Sequence, residues 1–129
     1  MRVLLDTQVW LWMWGDPERL RNEARTIVEN PDSELNVSAV SAWEIATKHA
    51  AGRLRLPTPA HEWLTDARHR RDVTELPITF AHAIRAGNLP PHHPDPFDRM
   101  LVAQAQVENL VLVSADPKVA AYEVEFLRA

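Results

Sequence analysis

The fold is decided by two short apolar runs that each lead into an acid, VLLD at residues 3–6 and LVLVSAD at residues 110–116. Apolar runs of this length are typical of strands that are buried on both faces of a parallel sheet. Weaker strand patterns lie at residues 35–37 and 124–127. The two strong runs therefore predict a central sheet that is covered on both sides.

Helical patterns separate these strands. They lie at about residues 17–30 after Asp16-Pro17, from Ser38 to about Gly52, at 60–71, at 79–87, and after Asp95-Pro96. Alternation of strands and helices predicts the α/β class, as an α/β/α sandwich around a mostly parallel sheet. In such sheets ligands bind beyond the carboxyl ends of the strands, so we expect the functional residues there.

Length and composition limit the number of domains and the kinds of site that the protein can have. A chain of 129 residues with 46% apolar content is predicted to form one domain over residues 1–129. No apolar run approaches the roughly 18 residues of a membrane span, and Asp6 interrupts any signal-peptide core, so we expect a soluble, cytoplasmic protein. The absence of cysteine excludes disulfides and thiolate ligands, which leaves oxygen or imidazole for any metal.

The net charge of −4 argues against a protein that holds nucleic acid by bulk electrostatics. It does not exclude a nuclease, because divalent cations bound in an acidic cleft reverse the local charge there.

Each strong strand is followed by an acid, Asp6 directly after Leu5 and Asp116 after Ser114 and Ala115. Asp6 ends the first run and Asp116 follows the second, so both are expected at the same edge of the sheet. Neighbouring carboxylates repel each other, and a divalent cation such as Mg²⁺ or Mn²⁺ relieves that repulsion. For Asp6 there is also a purely structural interpretation, as the N-cap of a helix over residues 8–14.

Two further acids are candidates on helices. Asp95 precedes Pro96 as an N-cap would, which places Asp98 in the first helical turn and makes Asp98 the better ligand candidate. Glu44 completes the capping-box pattern SAWE at residues 41–44, but Ser38 is an equally good cap and would place Glu44 in the second turn. The residues alone leave the role of Glu44 open, and they do not define the reaction.

Four motifs occur in a familiar order, LLDTQV at 4–9, SAVSAWEIA at 38–46, HHPDPFDRMLVAQA at 92–105 and LVSAD at 112–116. With them the chain resembles, from end to end, the VapC-type PIN-domain ribonucleases, the toxins of VapBC toxin–antitoxin pairs. Gln8 is a departure, since asparagine or histidine is common there in the family. The resemblance implies a PIN-like sandwich, a metal-dependent endoribonuclease toxin with one or two Mg²⁺ or Mn²⁺ ions, an RNA substrate, a homodimer and a VapB-like antitoxin partner.

The resemblance places the metal-binding and catalytic acids at Asp6, Glu44, Asp98 and Asp116, and thereby favours the functional role of Glu44. Side chains that would hold these ligands in place are Thr7, Asp95 and Ser114.

Other residues have weaker assignments. Arg99 is a candidate for contact with a substrate phosphate or for pairing with a neighbouring acid. His92 and His93 lie in a proline-rich loop, where a hydrogen-bonding role is favoured over metal ligation. Three tryptophans are candidates for binding a partner: Trp10, Trp12 and Trp14. An arginine cluster could contact RNA, but a solvated helix end is the favoured interpretation of Arg68, Arg70 and Arg71.

Two other function classes compete with the nuclease. A metal-dependent phosphatase or phosphotransferase also places acids at strand ends, but one such type needs an acid two residues after the first aspartate, where this chain has Gln8. Another type needs a lysine that follows a late strand, and here Lys118 lies beyond Asp116 at the expected start of a helix. A non-catalytic PIN-like binding module is the second alternative, and retention of all four acids argues against it.

Overall fold

The computed structural model describes residues 1–70 and 72–129, and the side chains of the arginine cluster lie outside the described part. Its centre is a five-stranded sheet in the order β3-β2-β1-β4-β5. Every strand pairing is parallel. The strands are β1 Arg2–Leu5, β2 Glu34–Ser38, β3 Val73–Leu76, β4 Val111–Ser114 and β5 Phe126–Arg128. All five carboxyl ends therefore meet at one edge of the sheet.

Helices connect the strands. They are α1 Thr7–Gly15, α2 Asn22–Glu29, α3 Ala39–Ala50, α4 Ala60–Arg70, α5 Phe80–Gly87 and α6 Pro96–Glu108, with short 3-10 turns at Pro17–Arg19 and Pro117–Ala121. Among the described residues, no helix is both long and apolar enough to cross a membrane.

The sheet is buried on both faces because successive side chains of a strand point to opposite sides. Leu4 of β1 packs with Leu101 and Leu112 on one face. Its neighbours Val3 and Leu5 belong to the cluster on the other face. The predicted α/β/α sandwich with a parallel sheet is confirmed.

The prediction for residues 17–30 was wrong in one respect. A single helix was expected, but the 3-10 turn at Pro17–Arg19 and an extended Leu20 precede α2. Asp16 precedes Pro17 as a helix cap would, but its side chain makes no capping hydrogen bond and lies 3.9 Å from the Arg19 guanidinium. Packing of the buried Leu20 against the core accounts for the break, since a continuous helix would direct that side chain elsewhere.

Strand β3 was not predicted. Its sequence, VTEL, is short and half-exposed, and it pairs with β2 at the edge of the sheet. Edge strands of this kind lack the continuous apolar run that marks a central strand.

The last strand, β5, begins two residues later than expected, at Phe126.

The tryptophans of α1 are less exposed than expected. Trp10 is buried and meets Trp63 edge to face, with ring centroids 5.7 Å apart. Trp12 and Trp14 are half-buried, and the Arg19 guanidinium lies 5.0 Å from the centroid of the Trp12 ring. Trp10 is therefore a core residue and is not available as a partner anchor.

Candidate metal centre

The structure brings the four predicted acids into one open pocket of about 540 Å³ at the carboxyl edge of the sheet. They come from four separate segments, the end of β1, the middle of α3, the first turn of α6 and the loop after β4. Thr7 and Asp95 line the same pocket. Four carboxylates that are far apart in sequence thus converge where the topology predicts a ligand site.

The side chain of Asp6 links the ends of the neighbouring strands β1 and β4 by hydrogen bonds. Its Oδ1 accepts the backbone N–H of Val9 at 2.7 Å and thereby caps α1, so the structural interpretation of Asp6 also holds. Its Oδ2 accepts from the Ser114 hydroxyl at 2.6 Å and from the backbone N–H of Ala115 at 2.8 Å. Burial raises the pKa of Asp6 above its ordinary value although these hydrogen bonds oppose the shift.

Glu44 lies in the second turn of α3 because Ser38, and not Ser41, caps the helix. The Thr7 hydroxyl donates to Oε1 of Glu44 at 2.6 Å and lies 2.9 Å from the Ser41 hydroxyl. Oε2 of Glu44 accepts from the Lys48 ammonium one turn further along the helix. Glu44 is therefore a buried carboxylate that lines the pocket, and its Oε1 is held by the Thr7 hydroxyl.

Asp95 caps α6, as the sequence predicted, and Asp98 lies in the pocket one turn further along. Oδ1 of Asp95 accepts the backbone N–H of Phe97 at 2.8 Å, which caps α6 before Pro96. Asp98 follows in the first turn, partly buried. Burial, together with the negative charges of Asp95 and Asp6, raises the pKa of Asp98 to about 7. Metal-free Asp98 is therefore partly protonated at neutral pH.

Asp116 and Ser114 link the end of β4 to this cluster. The Asp116 backbone N–H donates to Ser114 Oγ at 3.0 Å, while that hydroxyl donates to Asp6. Partial burial alone would raise the pKa of Asp116, but hydrogen bonds from the Lys118 backbone and from His93 outweigh it and lower the pKa. Asp116 is thus held as a carboxylate.

His93 is the site residue to which sequence analysis gave only a loop role. It is buried at 5% exposure, and its Nε2 lies 2.8 Å from Oδ2 of Asp116 and 3.1 Å from Oδ2 of Asp98. The predicted hydrogen-bonding role is present, but at the acids. A signal was available, since His93 stands two residues before the helix cap Asp95 in a loop that leads into the functional edge.

Arg99 does not reach the acids. Its guanidinium donates to the carbonyl oxygens of Pro90, Ala86 and Leu89 at 3.0 Å each, and its Nη1 lies 3.3 Å from the Tyr122 hydroxyl. It neither lines the pocket nor pairs with an acid among the described residues. The loop carbonyls take up the guanidinium, so Arg99 is placed as a support of the loop between α5 and α6 rather than as a substrate contact.

The donor set fits a hard divalent cation. All four acids offer carboxylate oxygen, the ligand type that Mg²⁺ and Mn²⁺ prefer. The raised pKa values of Asp6 and Asp98 show that their negative charges are costly without a cation. Among the described residues, possible ligand atoms of His93, Asp98 and Asp116 lie within 4.8 Å of one another, and Asp6 and Glu44 lie outside that group.

Two positively charged side chains lie beside the acids. Lys48 and Arg53 line the same pocket, and Lys48 pairs with Glu44. The remaining wall is apolar and includes Leu11, Trp12 and Leu54. The pocket thus combines carboxylates that suit a divalent cation, positive side chains that suit a phosphate, and an apolar wall that suits a base.

Comparison with known proteins agrees with this architecture. Residues 3–125 match the PIN domain family. The chain is 37% identical over 116 residues to Ribonuclease VapC22 of Mycobacterium tuberculosis, and the match covers 88% of this chain and 86% of that relative. The protein belongs to the PIN domain family.

Solved structures show the same fold. A chain of the VapBC2 complex of Rickettsia felis, bound to a promoter DNA fragment, superposes with a TM-score of 0.72 at 12% identity, over 99% of this chain and 98% of that one. A chain of VapBC-1 from nontypeable Haemophilus influenzae superposes with a TM-score of 0.66 at 17% identity, over the same shares. These structures establish the fold independently of sequence identity.

Proposed function

We propose that this PIN-domain protein is a metal-dependent endoribonuclease and the toxin of a VapBC-type toxin–antitoxin pair. The observation that carries the proposal is the convergence of Asp6, Glu44, Asp98 and Asp116 in one pocket at the carboxyl edge of the sheet. The 37% identity to a ribonuclease over most of the chain supports RNA as the substrate. The same family membership favours a nuclease over a phosphatase or phosphotransferase.

The proposed cofactor is Mg²⁺ or Mn²⁺, held by carboxylates of these four acids. When bound, such a cation supplies Lewis-acid activation of water and neutralises phosphate charge. The protein contributes orientation: Thr7 fixes Glu44, Ser114 fixes Asp6, and Asp95 holds the start of the helix that carries Asp98.

RNA binding is proposed to use the positive side of the pocket. Lys48 and Arg53 provide phosphate contacts, and the half-buried ring of Trp12 lies on the apolar wall where a base can pack. This local arrangement reconciles an RNA substrate with a net charge of −4. Arg99 has no part in it.

The proposed partner is a VapB-like antitoxin encoded nearby. An arginine from the antitoxin can bind the carboxylates that otherwise hold metal, with charge-assisted hydrogen bonds. Half-buried Trp12 lies on the pocket wall, where it offers an apolar contact to a partner segment. Replacing such an arginine by alanine in a co-purified antitoxin should relieve inhibition, and undiminished inhibition would contradict this account.

A homodimer in the cytoplasm completes the proposal. Phe80 and Ile84 lie one turn apart on α5 and are 90% and 63% exposed. Large apolar side chains exposed together mark an interaction surface, and a second copy of the chain is the occupant we propose.

The decisive experiment is incubation of the purified protein with total RNA in Mg²⁺, in Mn²⁺ or in EDTA, followed by mapping of the cleaved ends. Discrete products that disappear with EDTA are expected. The matched control is Asp98→Asn, which keeps the side-chain shape and removes the charge. Tight RNA binding without cleavage would instead identify a non-catalytic module, and release of inorganic phosphate from phosphomonoesters would identify a phosphatase.

A further inference from the structure

The loop between α5 and α6 holds a buried imidazole in a defined place. The backbone N–H of His93 donates to the Tyr122 hydroxyl at 2.9 Å, and that hydroxyl donates to the carbonyl of Pro90 at 2.9 Å. Arg99 donates to the same carbonyl. These contacts fix the loop from two sides, so the ring of His93 is positioned before any ligand arrives.

The hydrogen bonds of the ring define which nitrogen carries the proton. The backbone N–H of Asp95 donates to Nδ1 of His93 at 3.2 Å, and this requires a lone pair on Nδ1. The ring proton is therefore on Nε2. Nε2–H donates to Oδ2 of Asp116 at 2.8 Å and lies 3.1 Å from Oδ2 of Asp98.

This arrangement argues against the simplest role for His93. Together with Asp98 and Asp116 it forms a grouping that has the composition of a metal site. A metal-ligating nitrogen, however, needs a lone pair, and Nε2 carries the proton. Moving that proton to Nδ1 would set it against the backbone N–H of Asp95 and break the hydrogen bond that holds the ring.

We infer that His93 is a positioning residue of the metal centre: its Nε2–H holds the carboxylates of Asp98 and Asp116 at a common point and does not ligate the metal itself. The two acids come from the start of α6 and the loop after β4. A donor between them offsets their mutual repulsion and fixes their rotation, which leaves their other lone pairs for a cation. The inference rests on the proposed metal site, but not on the identity of the substrate.

Two variants separate the functions of the two ring nitrogens. Asparagine at position 93 can accept from the Asp95 backbone as Nδ1 does, but it is too short to reach the carboxylates. Glutamine can place an amide N–H near the position of Nε2, but it loses the Nδ1 acceptor. His92→Asn is the matched control, because His92 is the exposed neighbour in the same loop.

The measurement is calorimetric titration of each full-length variant with Mg²⁺, Mn²⁺ and Ni²⁺ in the absence of RNA. We expect His93→Asn to weaken binding of Mg²⁺ and Mn²⁺ by about 10- to 100-fold, the usual effect of losing a side chain that orients a ligand. His93→Gln should retain most of the affinity, and His92→Asn should match the parent.

Three results would overturn the inference. The first is an equal loss of affinity in His93→Asn and His93→Gln, and the second is no loss in His93→Asn. The third is a loss in His93→Asn that is much larger for Ni²⁺ than for Mg²⁺, because imidazole ligation favours Ni²⁺. Because RNA is absent from the titration, failure of the ribonuclease proposal would leave this result interpretable.

A second measurement on the parent protein does not depend on variant folding. Long-range ¹H–¹⁵N spectra of histidine-labelled protein distinguish protonated from unprotonated ring nitrogens. Nε2 of His93 should be protonated with and without Mg²⁺. Loss of the Nε2 proton on metal addition would identify His93 as a ligand and refute the positioning role.

Discussion

The hydroxyl of Ser114 donates a 2.6 Å hydrogen bond to Oδ2 of Asp6, across 108 positions of the chain. The contact ties the ends of the neighbouring strands β1 and β4 together at the functional edge. With the N–H groups of Val9 and Ala115, it gives Asp6 three donors. Asp6 is consequently both a candidate ligand and a structural acceptor, and a substitution there tests both roles at once.

Asp6→Asn should therefore destabilise the protein as well as abolish cleavage. The asparagine amide must turn its NH₂ towards one of the donors, and an unsatisfied buried donor costs about 1–3 kcal/mol. Relief of repulsion between the acids offsets part of this cost in metal-free protein. Urea denaturation in EDTA measures the difference, and a stability equal to or above that of the parent would contradict the expected net destabilisation.

Asp98→Asn is the cleaner test of the metal site. Its one polar contact among the described residues is with His93, and asparagine can still present an oxygen there. We expect cleavage to fall to the level of the EDTA-treated parent, while thermal stability in EDTA rises because one buried charge is removed. Metal-dependent cleavage close to that of the parent would remove Asp98 from the site.

Asp95 should be replaceable where Asp98 is not. Asp95→Ala removes the cap of α6 and should cost about 0.5–2 kcal/mol of unfolding free energy. Asp95→Ser restores a capping oxygen, so it should recover most of the stability and most of the cleavage activity. Asp98→Ser should show no cleavage activity, because serine cannot supply the carboxylate. Thermal melts and RNA cleavage of the three variants measure this, and the reverse pattern would exchange the two roles.

The stability of the metal-free protein should fall as the pH rises from about 4 to about 7. The pKa of Asp98 is raised to about 7 in the folded state from an ordinary value of 3.8, so in this window the folded state holds a proton that the unfolded state has lost. The stabilisation is complete below the unfolded pKa and disappears as the pH passes the folded pKa. Asp6 shifts in the same direction.

Melting temperatures in EDTA across this pH range test whether Asp98 causes the pH dependence of stability, with Asp98→Asn as the control. The decline should be smaller in the variant, and saturating Mg²⁺ should reduce it in the parent, because bound metal favours ionised Asp98. An identical pH profile for parent and variant would exclude Asp98 as its source.

Negative charge on the exposed apolar face of α5 should prevent the proposed dimer from forming. Phe80→Asp combined with Ile84→Asp places two carboxylates on the exposed apolar face, and these would have to be buried in a dimer. Light scattering should give a dimer mass for the parent and a monomer mass for the variant. His61→Asp on α4 is an exposed control that should remain dimeric.

The main strands and the helix cap at Asp95 were predictable because their signals are local. A buried strand requires consecutive apolar residues, and a helix cap requires an acceptor within a few positions of the N–H groups that it binds. Ser38 and Ser41 were equally good local caps for α3, so the position of Glu44 within its helix needed the structure. The edge strand β3 was missed because its half-exposed VTEL sequence carries no comparable signal.

The sequence by itself determined the α/β alternation and the placement of acids directly after strands, since hydrophobic burial and parallel pairing follow from short-range patterns. Only the tertiary structure decided which donors reach those acids. Ser114 meets Asp6 because β1 and β4 are neighbours in the sheet, and His93 meets Asp116 because Tyr122 and Arg99 fold the intervening loop onto the core. Such contacts depend on strand order and loop path, which no local pattern of residues specifies.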